Sequence, residues 1–409
     1  MTNTPPAAQP TKKPPLFPKD PRGTATERSL NTAGAVLHLA MRSAQELTDL
    51  VAEVHSTITD LPSPLNKTHQ AQAGRAPLPY RMVSGSFALL ARFSRGLISR
   101  ETEFDQLNAL RGHAALNGVC GDKLEAWSSP LALSMSLRSA QGSVLDPAKW
   151  AQTAATGHVL FLHGLCHNDQ EWQQSANHQV FVEELKAAGY NIAWLRYNTG
   201  RAIHANGSML ADLLSRHFSD SGTPIWLIGH SMGGLLIRSA CHHATQNDHG
   251  WIKRLSHAAY LGSPHLGAPW EVAGNHLNNI LGITPYTRPF MRLGNIRSTG
   301  IRDLRVAHIT ADQTMPQLPP EVNHLLLATA WSELHTDNFI GDGIVPVSSA
   351  LAQSPNGDVL SAPKLKRVLL NDINHIAILN DARVYTELRN WLSLSTQISA
   401  RLEHQPQAS

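Results

Sequence analysis

The chain has 409 residues, with 42% apolar and 16% charged side chains and a formal net charge of +3. That composition supports a sizeable core and excludes a chain that is disordered throughout. The charge is small and scattered, with no dense Lys/Arg face interleaved with aromatic residues, so nucleic acid is not an expected partner.

Residues 1–25 read as a flexible tail, because Pro14-Pro15 and Pro18 forbid a helix. The tail lacks the apolar core of a signal peptide, and no run in the chain reaches the length of a membrane span. The cytoplasm is therefore the expected compartment.

Residues 26–128 read as an N-terminal helical extension. Over 29–59, Val36, Ala40, Ala44, Leu47, Val51, Val54 and Ile58 recur at spacings of three and four and form one stripe. Leu61-Pro62-Ser63-Pro64 ends that helix. A second helix is expected over 80–99, with Val83, Phe87, Leu90 and Leu97 on one face. Packing inside the molecule accounts for both stripes, and a peripheral membrane contact is the alternative. The acidic first helix (Glu46, Asp49, Glu53) fits the former better, since surface-binding helices carry a basic face.

From Pro130 the period becomes two. Leu131, Leu133, Met135 and Leu137 alternate with smaller or polar residues and predict a strand. Strands and helices then alternate. Strands are expected at 158–162, 191–197, 224–228, 255–261, 325–331 and 367–370. Helices are expected at 180–188, 208–218, 235–244 and 382–394. This order predicts an α/β fold with a mostly parallel sheet covered on both faces, whose functional groups gather beyond the C-terminal strand ends. The body spans 129–398, and 399–409 is a C-terminal tail.

The most informative stretch is Ile225-Trp226-Leu227-Ile228-Gly229-His230-Ser231-Met232-Gly233-Gly234, an apolar strand running through G-x-S-x-G into an apolar helix. The strand–turn–helix context makes it a nucleophile elbow, with Ser231 at the turn. A serine hydroxyl needs a base, and the base needs a carboxylate to orient it. His375 is the expected base because it lies just past the last strand. His335 is the competitor. Asp342 is the expected acid, ahead of Asp337 and Asp372. One oxyanion donor is the backbone N–H of Met232, the residue after the nucleophile, and the other comes from the loop after the early strand.

Taken together, Gly229-His230-Ser231-Met232-Gly233-Gly234, His163-Gly164, Gly262-Ser263-Pro264-His265-Leu266-Gly267-Ala268-Pro269, Asp342-Gly343-Ile344-Val345-Pro346 and Asn374-His375 resemble the α/β-hydrolase superfamily, in its lipase and esterase branch. The resemblance covers about residues 155–398. It implies the α/β-hydrolase fold, a Ser231–Asp342–His375 triad, and Leu165 as the second oxyanion donor. It implies that about 267–324, with Leu277, Ile280, Leu281, Ile283, Tyr286, Phe290, Met291 and Leu293, forms a cap or lid. His230 and His265 are read as structural members of their motifs. Several secreted bacterial lipases carry a calcium-binding Asp two residues after the catalytic histidine, where this chain has Ala377, so calcium is not carried over and no cofactor or metal is expected.

The expected activity is hydrolysis of carboxylic esters with apolar acyl chains, on a small-molecule ester or lipid. An acyltransferase, thioesterase or amidase using the same triad is an alternative, as is a non-catalytic hydrolase-like binding module. The three cysteines, Cys120, Cys166 and Cys241, show no CxxC or Cys/His metal spacing and read as buried free thiols. Oligomeric state is not legible.

Overall fold

The apolar runs at 157–162, 225–230 and 323–330 have almost no polar side to turn to water, which suits strands buried on both faces of a sheet. In the computed structural model, which describes Met41 and residues 107–218, 222–268, 298–331 and 341–403, they form its centre. In chain order the strands are β1 (Ser136–Arg138), β2 (Val144–Leu145), β3 (Gly157–Leu162), β4 (Tyr190–Arg196), β5 (Ile225–His230), β6 (Leu255–Leu261), β7 (Asn323–Ala330), a small hairpin β8 (Gln353–Ser354) and β9 (Gly357–Asp358), and β10 (Leu365–Asn371). Among the described residues the main sheet has eight strands in the order β10-β7-β6-β5-β3-β4-β1-β2. From β10 through β4 every pairing is parallel, and β1 and β2 add an antiparallel edge. The α/β-hydrolase fold expected from sequence is the fold observed.

The helices are α1 (Leu107–Ala126), α2 (Pro147–Gln152), α3 (Ala176–Ala187), α4 (Ile203–Phe218), α5 (Met232–Gln246), α6 (Thr299–Val306), α7 (Val347–Ala350), α8 (Ala382–Leu392) and α9 (Leu394–Glu403). Alternating strand residues feed two cores. Leu160, Leu162, Leu195 and Leu227 meet α4 and α5 on one face. Val159, Phe161, Trp194 and Ile228 meet α3 and α8 on the other. The chain therefore crosses the sheet repeatedly, and its loops return to the C-terminal strand ends.

Two expected elements differ. The period-two run from Leu131 becomes strand only at Ser136, because its earlier backbone groups bond to α1 instead of to a neighbouring strand. Leu131 O accepts from Asn117 Nδ2 at 2.8 Å and pairs with His113 Nε2 at 2.7 Å, and Leu133 N donates to Asn117 Oδ1 at 2.9 Å. The closing helix is split into α8 and α9 by Ser393, which sits at φ 51° and caps α8. The helices expected over 29–59, apart from Met41, and over 80–99 lie outside the described residues, as do residues 269–297 of the expected cap, whereas residues 298–324 form α6 and lead into β7. Among the described residues, no helix is long and apolar enough to cross a membrane.

Candidate active site

Strand β5 ends at His230 and α5 begins at Met232, so Ser231 has to reverse the chain alone. It does so at φ 54°, ψ −123°, a conformation that costs a non-glycine residue about 1–3 kcal/mol. The turn closes only because its flanks are small. A Cβ on Gly229 would lie 2.5 Å from Gly233 C, and one on Gly233 would collide with Leu162 O. Ser231 N donates to Leu261 O at 2.9 Å, which ties the turn to β6. The Ser231 side chain makes no capping bond to α5, so its hydroxyl is not engaged by the helix.

Asp342 and His375 come together across 33 residues. His375 Nδ1 lies 2.6 Å from Asp342 Oδ2, and both side chains are buried. A carboxylate only accepts, so Nδ1 donates this bond, and in the neutral ring that leaves the lone pair on Nε2. The other oxygen, Asp342 Oδ1, accepts from Ile344 N at 3.0 Å and Val345 N at 2.8 Å. His375 N donates to Asp342 O at 3.0 Å, so backbone and side chain hold the pair together.

Glycine again permits the approach to the elbow. Gly262 follows the Leu261 carbonyl that holds Ser231, and a Cβ there would lie 3.4 Å from both His375 Cε1 and Asp342 Oδ2. His230 provides a second tie, with Nε2 3.0 Å from His375 O and the two rings 4.9 Å apart. Burial pushes the His230 pKa well below its ordinary value, and its neighbours His375 and His167 push it further, so it donates as a neutral ring. Of the competing residues, Asp372 is exposed, whereas His335 and Asp337 lie outside the described residues.

The loop after β3 closes the opposite side. A Cβ on Gly164 would lie 2.9 Å from Ser231 Cβ, so this backbone lies directly against the elbow. Leu165 follows it and is buried. Met232, at the first position of α5, carries one of the N–H groups that a helix leaves without an internal partner. His163 Nδ1 donates to Gly164 O at 3.0 Å, Tyr197 Oη donates to His163 O at 2.8 Å, and Cys166 N donates to Thr199 Oγ1 at 3.2 Å. Behind the loop, Asp169 accepts from Arg196 Nε at 2.5 Å and Nη2 at 3.1 Å. That pair was not read from the sequence, where nothing links two residues 27 apart in a loop and a strand.

His265 is buried beside Tyr260, their rings 5.1 Å apart, and faces Arg238 Nη1 at 3.5 Å. The three cysteines are buried thiols outside any disulfide, as the sequence suggests, and burial pushes the Cys166 thiol up to about 12.

A family model described as "Alpha/beta hydrolase family" matches residues 159–385, more than half of the chain. Among solved structures, the chain is similar to the mature Bacillus licheniformis lipase BlEst2, at 16% identity over 63% of this chain and 97% of that one, with a TM-score of 0.40. It is similar to YbtT, a type II thioesterase of the yersiniabactin biosynthetic pathway, at 15% identity over 60% and 96%, with a TM-score of 0.39. It is also similar to a thermophilic esterase from Thermogutta terrifontis, at 17% identity over 59% and 91%, with a TM-score of 0.37. No curated protein sequence matches the chain.

Proposed function

The chain belongs to the α/β hydrolase family, and from that premise we propose that it is a serine hydrolase of carboxylic esters in which Ser231, His375 and Asp342 act as the triad. The observation that carries this reading is the Asp342–His375 contact of 2.6 Å at the C-terminal strand ends, beside a serine held at positive φ between β5 and α5.

In this reading, Ser231 Oγ attacks the ester carbonyl carbon and its proton passes to His375 Nε2. Asp342 stabilises the resulting imidazolium. The carbonyl oxygen becomes an oxyanion held by the backbone N–H groups of Leu165 and Met232. The tetrahedral adduct collapses, the C–O bond to the alcohol breaks, and His375 returns its proton to that alcohol. Water then attacks the acyl-serine, giving a proton to His375, and the acid leaves as Ser231 recovers its own.

Two large exposed side chains favour an apolar acyl chain. Ile376 directly follows the base, and Trp331 packs against the Gly343 of the acid loop. Both are more than a third exposed, so a substrate would recover part of the cost of leaving them in water, at about 25 cal/mol per Å² of apolar area covered.

The test is hydrolysis of p-nitrophenyl esters of increasing chain length by the parent chain and by Ser231→Ala. Turnover that rises with chain length and drops by several orders of magnitude in the variant supports the assignment. Equal rates in parent and variant contradict it.

A further inference from the structure

Helix α1 lies inside the stretch that the sequence sets apart as an extension, yet it is built into the site's own wall. Its composition is unusual for a surface helix: Gly112, Ala114, Ala115, Gly118 and Gly121 are all buried. These small positions let two loops approach the helix closely. A Cβ on Gly118 would overlap Cys166 Sγ and lie 3.1 Å from Cys166 Cα, and one on Gly121 would overlap the Asn198 side chain.

The helix kinks at Cys120, where φ is −139° and ψ 23°. A kink frees carbonyls from the helical ladder. Around it, Val119 O accepts from Ser298 N at 2.9 Å, Gly118 O accepts from Ser298 Oγ at 2.6 Å, and Gly121 O accepts from Asn198 Nδ2 at 2.9 Å. At its N-terminal end, Arg111 Nε and Nη2 donate to Glu171 Oε1 at 2.7 Å and Oε2 at 2.9 Å. The helix therefore grips the loop after β3 at two points, Cys166 and Glu171, on either side of the buried Asn168 and Asp169.

We propose that α1 is a positioning element for the proposed oxyanion loop, with Gly118 setting how close Cys166 sits and Arg111 holding Glu171, so that together they aim the Leu165 N–H at the developing oxyanion. The inference rests on the ester-hydrolase reading above. Its physical core is the backbone of Cys166. That residue follows Leu165 directly and is held at φ 60°, a conformation that a non-glycine residue keeps only when its surroundings enforce it. What surrounds its side chain is Gly118 and, 3.9 Å from Sγ, the Ala115 carbonyl; Thr199 holds its N–H. An oxyanion donor has to be placed within about 0.5 Å of its working position. A methyl group added at Gly118 would strike Cys166 Sγ and press on Cys166 Cα at 3.1 Å, so it disturbs the residue that directly follows the donor.

A helix that only adds stability would give a different result from one that aims a donor, and a transition-state analogue separates the two. A trifluoromethyl ketone bearing the preferred acyl chain takes up Ser231 Oγ at its carbonyl carbon while the serine proton passes to His375, leaving an oxyanion that the loop must hold. The corresponding methyl ketone fills the same space with little such charge. In the full-length chain, Gly118→Ala should lower kcat on the preferred ester by about 10- to 100-fold with KM unchanged. Its affinity for the trifluoromethyl ketone should weaken by the same factor, with no change for the methyl ketone. Adding Cys166→Gly removes the sulfur that the methyl group strikes and suits the positive φ, and should restore most of the loss. Arg111→Gln, at a half-buried position, should shift the same readouts in the same direction by a few-fold.

Parent-like kcat in a folded Gly118→Ala, or an equal loss for both ketones, overturns the proposal. If Gly118→Ala does not fold, Arg111→Gln decides it, and parent-like kcat and trifluoromethyl ketone affinity there overturn it. A parent chain that hydrolyses no ester refutes the reaction and this inference together, whereas an active parent with indifferent variants refutes the positioning role alone.

Discussion

Asp342 and Asp169 are both buried carboxylates near the C-terminal strand ends, with 2% and 0% of their surface exposed, and they are held in opposite ways. Asp169 faces the guanidinium of Arg196 through two contacts and takes a third hydrogen bond from Gln170 Nε2 at 2.9 Å. Arginine does not give up its proton, so this centre is a fixed charge pair. Burial raises the Asp169 pKa, but Arg196 outweighs it, and the net effect is a pKa below the ordinary 3.8. Asp342 faces an imidazole, and its remaining acceptor is filled by two backbone N–H groups. An imidazole, unlike a guanidinium, can both accept and give up a proton. One centre is suited to holding a loop in place and the other to following a proton through a reaction.

Breaking each pair should therefore do different damage. Asp342→Asn keeps the acceptor for Ile344 and Val345 but lets the His375 ring take the wrong tautomer. We expect kcat to fall by about 10⁴-fold with the urea midpoint nearly unchanged. Asp169→Asn should lower kcat only a few-fold in folded molecules but strand a buried guanidinium, at a cost of about 3–5 kcal/mol in urea unfolding. The reverse pattern, with stability lost in the first variant and activity in the second, would erase the distinction.

A smaller effect sharpens the same contrast. Burial lowers the pKa of His113 and His163 from the ordinary 6.5 to about 4, and both rings feel the charge of Arg196. Between those two values the unfolded chain binds more protons than the folded one, so stability rises with pH across that window. The urea midpoint should hold above pH 6.5 and decline as pH falls toward 4. The contribution of Asp169 should be lost only at lower pH, below 3.8. A midpoint that stays flat from pH 7 to pH 4 would contradict the neutral assignment of these histidines.

What could be read in advance follows the physics of each region. The elbow was legible because a one-residue reversal demands small neighbours, and Gly229 and Gly233 advertise that demand locally. Asp342 and His375 stood out through their place after late strands and, for Asp342, through the resemblance of its loop to the hydrolase family, and the structure brings the two side chains into contact. The Asp169–Arg196 pair was not legible, since its partners meet only once the loop after β3 has been laid over β4. Leu131–Met135 misled because alternation reports which faces are buried, whereas the backbone partner here is a side chain, Asn117. Helix α1 fell within the expected helical extension but had no bounds of its own there, because it is buried around much of its circumference and lacks the one-sided stripe that marks a surface helix.

The most direct measurement of the central claim is rapid quenching of the chain with a p-nitrophenyl ester, followed by peptide mass spectrometry. The account predicts a burst of nitrophenol matched by an acyl group on the peptide carrying Ser231, and neither in Ser231→Ala. Turnover of the ester with no acyl group on Ser231, or a burst that survives in Ser231→Ala, would contradict it.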